Sequence, residues 1–331
     1  MTTTAGTVRT ATVPAQRAVL LDIAGSELGG AARWRAELEH YLAARPDTVT
    51  VVGQGRRITS SWLLRRERLA QGYGLVVAPN NLSFAVSGAE RRLLLRNALH
   101  FLHPAERHLL ARMPRAFQAK IPVVRRLVAR ADLVVVPCSA MAERVTRLLP
   151  TVGRRLVVRP HPVTPVGPRR PTQTPTILVP VVPGPYKNLV PQLRLLVGMA
   201  DRAGHPARIL VTAAPADLPV DLREHERIET LGIVAHDRLA QLWRTATAAF
   251  YPSVLESFGY PLAEARAYGV PVISPVSAQS VEIAGPALRG YDPNSPRSLG
   301  EALAGIAEPV PAEPRAFDRD AYFDFLLTPG R

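Results

Sequence analysis

Short apolar runs recur along the chain, separated by longer segments in which apolar positions return every three or four residues. The runs at 18–24, 133–139 and 155–159 fit strands buried on both faces, and 48–52 and 74–78 read as further strands. Residues 91–101 predict a strand running out into a loop. Helical spacing occupies 30–44, 60–71, 103–130 and 140–149, with Pro114 and Pro122 expected to interrupt the third of these. From residue 176 the same grammar repeats. Strands are expected at 176–182, 208–212, 228–232, 247–251 and 269–274, and helices at 189–204, 237–247 and 296–307. Alternating strands and helices make an α/β protein with parallel sheets covered on both faces. Residues 1–163 and 176–308 read as two domains, 164–175 as a proline- and threonine-rich linker, and 309–331 as a tail whose amphipathic stretch at 318–327 predicts a last helix.

Composition agrees with this division. At 331 residues there is length for two ordinary domains, and 47% hydrophobic with 21% charged residues is a globular balance. The net charge of +14 raises anionic partners, among them phosphorylated small molecules, acidic membranes and nucleic acid. Almost all of that charge is Arg, with Lys120 and Lys187 as the only lysines. Abundant Ala, Val and Pro point to a GC-rich bacterial genome, so part of the Arg excess is a codon effect. Basic residues interleave with Leu and Val rather than with aromatic rings, so no nucleic-acid partner is expected. Cys138 is the single cysteine, which excludes an intrachain disulfide and favours a reducing compartment. The first residues lack the pattern of a signal peptide, and no apolar run approaches the ~18 residues of a membrane span. The expected location is cytoplasmic, with peripheral contact at the inner membrane face as an extension.

The chemistry concentrates in residues 251–274. A buried strand end at Tyr251 leads into a loop carrying Glu256, the turn Gly259-Tyr260-Pro261, a helix carrying Glu264, and the next strand from Gly269. Proline suits the first helical position and glycine the entry, so the free amides of a helix N-terminus fall at 260–263. Such amides hold a diphosphate. Carboxylates on either side of it accept hydrogen bonds from hydroxyl pairs, so the stretch reads as a site for two polyols flanking a diphosphate.

The string Glu256-Ser257-Phe258-Gly259-Tyr260-Pro261-Leu262-Ala263-Glu264 resembles the Glu-x-Phe-Gly-x-x-x-x-Glu motif of retaining glycosyltransferases of family 4. The following Ala267-Tyr268-Gly269-Val270-Pro271-Val272-Ile273 is similar to that family too. The resemblance implies a GT-B fold, two Rossmann-like domains facing a central cleft, and a tail helix that crosses back to the first domain. It implies transfer of a sugar from a nucleotide-sugar donor, UDP-, GDP- or another, to an acceptor hydroxyl with retention, the acceptor being a small molecule or a lipid-linked glycan. Carried over residue by residue, Glu256 holds donor hydroxyls, Phe258 and Gly259 give backbone amides, Leu262 and Asn188 lie beside the donor, and Glu264 binds ribose. Lys187 neutralises the diphosphate. The family's neighbouring Arg is replaced by Val182, a departure that puts the usual two-cation clamp in question. Gly29 and Gly30 match the family's double-glycine loop, a close backbone approach to donor phosphate. Arg96, Asn97 and His100 match the region near the anomeric carbon, where a His positions the acceptor or moves a proton; His103 is the next candidate. His161 receives no role.

No metal is expected. Asp318-Arg319-Asp320 has the Asp-x-Asp form that holds a cation in other glycosyltransferases, but it opens a terminal helix, where capping is its expected task. Three other readings stay open: a degenerate GT-B module that binds nucleotide without turnover, a GT-B nucleotide-sugar epimerase, and a basic peripheral or nucleic-acid-binding protein.

Overall fold

The structure, a computed structural model, describes residues 18–45, 48–184 and 187–330. The polar first residues and most of the 183–188 loop's centre therefore lie outside the described residues. In the first half the chain runs β1 (Val19–Asp22), α1 (Gly30–Ala43), β2 (Thr50–Val52), α2 (Ser60–Leu69), β3 (Leu75–Ala78), β4 (Glu90–Leu94), α3 (Arg115–Val128), β5 (Leu133–Val136), α4 (Ser139–Leu148) and β6 (Leu156–Val158). The second half runs β7 (Thr176–Val179), α5 (Leu189–Arg202), β8 (Arg208–Val211), α6 (Val220–Arg223), β9 (Ile228–Thr230), α7 (His236–Thr245), β10 (Ala248–Phe250), α8 (Tyr260–Tyr268), β11 (Val272–Pro275), α9 (Ala278–Ala284), β12 (Leu288–Tyr291) and α10 (Pro296–Ala304). A final helix, α11 (Arg319–Leu327), ends the described chain.

Two six-stranded sheets result, ordered β2-β1-β3-β4-β5-β6 and β12-β11-β10-β7-β8-β9, and every pairing is parallel. Parallel strands bury both faces, which is why β1, β3, β7 and β11 are apolar throughout or nearly so. The strand order reverses between β1 and β3 in one sheet and between β10 and β7 in the other. Loops leaving the C-terminal ends at such points diverge and open a crevice.

Two expectations about helices change. Residues 104–112 form 3-10 turns rather than α-helix, opened by a His103 cap on the Ala105 amide and closed at Pro114. Pro122 does not interrupt α3. It sits on the exposed face, where water reaches the carbonyl that its missing N–H leaves unbonded.

The tail lies on the first domain. Tyr322 on α11 accepts a hydrogen bond from Trp34 Nε1 at 3.1 Å, Tyr41 donates to Asp324 at 2.6 Å, and Arg92 donates to the Phe325 carbonyl. Asp318 caps α11 by accepting from the Ala321 amide at 2.8 Å, so that carboxylate does the capping its sequence position predicts. The domains are also tied directly to each other: both Glu282 oxygens accept from the Ser139 amide at 3.0 and 2.9 Å.

Candidate active site

A cleft of about 1060 Å³ runs between the two sheets. Most of its wall is loop that follows the C-terminal end of a strand: 24–30 after β1, 80–81 after β3, 96–99 after β4, 180–184 after β7, 233–235 after β9 and 251–259 after β10. Strand ends from both switch points thus supply the site.

The floor under the glycine loop is a buried polar knot. Asp22, at the end of β1, accepts from Arg66 at 2.8 Å, from Asn80 at 3.1 Å, from Trp62 Nε1 at 3.2 Å and from the Ala24 amide at 3.0 Å. With neither Asp22 nor Arg66 exposed, the charge of each needs the other, so the knot fixes where the loop begins. The loop then reaches Gly29, whose φ of 59° suits glycine, and Gly30, where a Cβ would come within 3.1 Å of the Tyr260 ring. Both glycines line the cleft.

Opposite, Lys187 Nζ and Glu256 Oε1 pair at 3.0 Å, each side chain about one-sixth exposed. Ser253 donates to the same Glu256 oxygen at 2.9 Å and orients it. These two residues are 69 positions apart, and both line the cleft. Thr212 Oγ1 accepts from the Val181 amide at 2.8 Å and holds the preceding loop. Val182 is exposed in the cleft wall, 3.4 Å from where a Gly29 Cβ would stand, so the loops of the two domains approach here without a cation at that position.

Gly259 (φ 78°) is the N-cap of α8 and carries no side-chain cap. Its carbonyl accepts from the Leu262 amide at 2.9 Å and from the Ala263 amide at 3.3 Å, and Pro261 carries no N–H, so the open donors expected over 260–263 narrow to the Tyr260 amide. Phe258 lines the cleft, but its ring packs edge-on against His161, Tyr260 and Phe317, and its carbonyl is taken by Gln279. Asn97 lines the cleft too, and its side chain caps the turn at 98–101 by accepting from the Leu99 amide at 3.0 Å.

Four candidates stand elsewhere. His100 is buried, stacked on Phe117 at 5.3 Å, and outside the cleft wall. The 3-10 turn after Asn97 carries it into the core. Burial, reinforced by the Arg125 charge, pushes its pKa down to about 4, so it is a neutral core residue rather than a proton carrier. Leu262 is buried on the core side of α8, and Asn188 is the left-handed N-cap of α5; neither lines the cleft.

Glu264 also departs from expectation. Its carboxylate accepts from Arg33 of α1 at 2.8 Å, with the two side chains 7% and 13% exposed, and faces a small separate cavity beside Trp243 and Tyr268. Instead of an open carboxylate turned to ribose, it bridges the two domains. Burial raises its pKa to about 7, more than the Arg33 charge lowers it.

The sequence reading missed His161. It lines the cleft, is 2% exposed, and packs between Phe258, Tyr260 and Tyr322, with Nδ1 3.1 Å from the Tyr322 hydroxyl. Burial, then the charge of Arg96, keeps it neutral. Its flanking prolines were the only local signal.

Among the described residues no group of three or more His, Cys, Asp or Glu is placed to hold a metal ion, and no helix is long and apolar enough to cross a membrane.

Residues 221–309 match a family model described as glycosyl transferases group 1. The chain is 36% identical over 91 residues to D-inositol 3-phosphate glycosyltransferase of Mycobacteroides abscessus, covering 24% of this chain and 20% of that protein. To the enzyme of the same name from Mycolicibacterium vanbaalenii it is 31% identical over 119 residues, 34% of this chain and 26% of the relative. The matches thus span about a quarter or less of the curated relatives' length. Among solved structures, WaaG, a glycosyltransferase involved in lipopolysaccharide biosynthesis, superposes with a TM-score of 0.66 at 13% identity, covering 88% of this chain and 90% of that one. Anabaena HepE in complex with UDP and glucose gives 0.63 at 14% identity, covering 94% and 96%. The fold is GT-B.

Proposed function

We propose that the protein is a metal-independent retaining glycosyltransferase that uses a nucleotide-sugar donor. The observation that carries this reading is the Lys187–Glu256 pair at 3.0 Å, set in an interdomain cleft opposite Gly29 and Gly30 and beside the uncapped start of α8. The group 1 match over residues 221–309, which spans Glu256, supports the same reaction class.

In this reading the donor's diphosphate enters between Lys187 and the N-terminal end of α8, both of which favour negative charge. Lys187 exchanges its contact with Glu256 for one with phosphate oxygen. Glu256, released, accepts hydrogen bonds from donor sugar hydroxyls. The bond from the anomeric carbon to the phosphate oxygen breaks with its electron pair leaving on the diphosphate, and Lys187 stabilises that charge as it develops. The acceptor oxygen forms the new bond to the same face of the anomeric carbon, and its proton passes to an oxygen of the departing phosphate. No side-chain base is assigned to that proton, since His100 lies in the core and His161 Nδ1 faces the Tyr322 hydroxyl.

The acceptor is a small molecule or a lipid-linked glycan, and the relatives' name makes a phosphorylated cyclitol a rational member of the panel. Residues 103–130, which carry seven Arg or Lys against one Glu, would suit contact with an anionic membrane face in the cytoplasm.

The test is a matrix of UDP- and GDP-sugars against such acceptors, read by release of nucleoside diphosphate and by NMR of the product's anomeric proton. An α-linked product from an α-linked donor, lost in Glu256→Ala, is expected. Donor consumption with no acceptor incorporated would favour an epimerase or hydrolase. Nucleotide binding without turnover would favour a degenerate module.

A further inference from the structure

Three cationic side chains line the cleft: Arg33, Arg96 and Lys187. Arg33 is paired with Glu264 and Lys187 with Glu256. Arg96 differs. Its guanidinium lies over the Trp34 ring at 5.2 Å, its Nη1 is buried without a hydrogen-bond partner, and no carboxylate pairs with it among the described residues.

The polar groups around it lack partners too. The Tyr322 hydroxyl accepts from Trp34 Nε1–H and lies 3.1 Å from His161 Nδ1; with its own proton given to that nitrogen, the neutral imidazole carries its hydrogen on Nε2. That Nε2 is buried and unpartnered, and so is the Tyr260 hydroxyl, whose ring stacks on His161 at 5.9 Å. Arg96 is also tied to the catalytic loop: its carbonyl accepts from Ser257 Oγ at 2.8 Å, next to Glu256. The residue as a whole is half-buried in the cleft wall, and burial pulls its guanidinium down from its ordinary value.

A cation with one end buried and no counter-charge costs the fold stability unless something else supplies the charge. The unpartnered His161 Nε2 and Tyr260 hydroxyl beside it are each able to donate to the same anion. We propose that Arg96, His161 Nε2–H and the Tyr260 hydroxyl form a phosphate-binding pocket on the first-domain side of the cleft, taking up the place of the cation missing at Val182. The inference rests on the nucleotide-sugar reading for its setting. The chemistry recognised is a phosphate oxygen, which either the donor's diphosphate or a phosphate on the acceptor supplies.

The test is isothermal titration of the full chain, wild type, Arg96→Gln and Arg96→Lys, with UDP and GDP, with inorganic pyrophosphate, and with glucose 6-phosphate as a polyol monophosphate probe. Arg96→Gln is expected to weaken phosphate binding on the order of tenfold to a hundredfold, as for a charged hydrogen bond lost, with Arg96→Lys in between. A loss confined to the nucleotides and pyrophosphate assigns the pocket to the donor; a loss confined to the sugar phosphate assigns it to the acceptor. Thermal unfolding without ligand separates a structural role, since removing an unpaired buried cation leaves Arg96→Gln at least as stable as wild type. Affinities unchanged for every probe, or a destabilised variant that binds as wild type does, would overturn the pocket. Wild type that binds pyrophosphate through Arg96 but no nucleotide would instead overturn the nucleotide-sugar reading and leave the pocket standing. Wild type that binds no probe would overturn both.

Discussion

The two glutamates of one nine-residue string meet opposite fates. Glu256 sits on a loop, partly exposed, paired with Lys187 of its own domain inside the cleft. Glu264, eight residues later and about one turn inside α8, is buried and paired with Arg33 of the other domain, its pKa near 7. The difference lies in what faces each one. The loop opens on solvent and β7's loop, whereas the inner face of α8 is closed by α1, packed so closely that a Cβ at Gly30 would meet the Tyr260 ring at 3.1 Å. Spacing fixes which face a side chain takes, and the opposing domain decides its chemistry.

The sharpest break of this comparison is at Glu256. If it holds the donor, Glu256→Ala or Lys187→Ala lowers kcat/KM for transfer by on the order of a hundredfold or more, as loss of a preorganised transition-state contact does, while leaving thermal stability near wild type. Variants at Glu264 follow the reverse pattern.

Arg33→Ala should lower unfolding stability by about 3 kcal/mol near pH 8, because it strands a buried carboxylate. At pH 5 Glu264 takes up a proton and the loss shrinks. Chemical denaturation at both pH values checks this, and an equal loss at both would contradict the pairing.

A third effect is smaller. With the folded carboxyl titrating near 7 against an ordinary value of 4.5, Glu264 favours the native state fully below the lower value and loses that contribution as pH rises through the higher. Wild type should therefore lose on the order of 1–3 kcal/mol relative to Glu264→Gln between pH 5 and 8. A difference that is flat with pH would mean the carboxylate is ionised throughout.

Smallest is His100→Phe, expected to leave kcat/KM within about twofold because the ring stacks in the core and touches no part of the cleft. A loss comparable with that at Glu256 would restore His100 to the site.

What was legible in the sequence follows the range of each interaction. The strand and helix alternation is written in local periodicity, and so is the glycine–proline entry to α8, because each depends on neighbours in the chain. Asp318 as a cap and the glycine loop at 29–30 were readable for the same reason. Arg33 and Glu264 meet across 231 residues, and no local pattern marks either for the other. His161 is placed by Tyr322, 161 residues later on the tail helix. His100 failed differently: a 3-10 turn, with three residues per turn, rotates it away from the position that an extended loop would give it. The clamp at Val182 was legible only as a gap.

The central claim, that the cleft around Lys187 and Glu256 receives the nucleotide sugar, is tested most directly by amide hydrogen exchange of the intact chain with and without saturating UDP- or GDP-sugar. The account predicts slowed exchange in the loops at 24–30, 180–188 and 255–263, with the rest of both sheets unchanged. Exchange that is unaltered in those loops, or slowed only at surfaces outside the cleft, would contradict it.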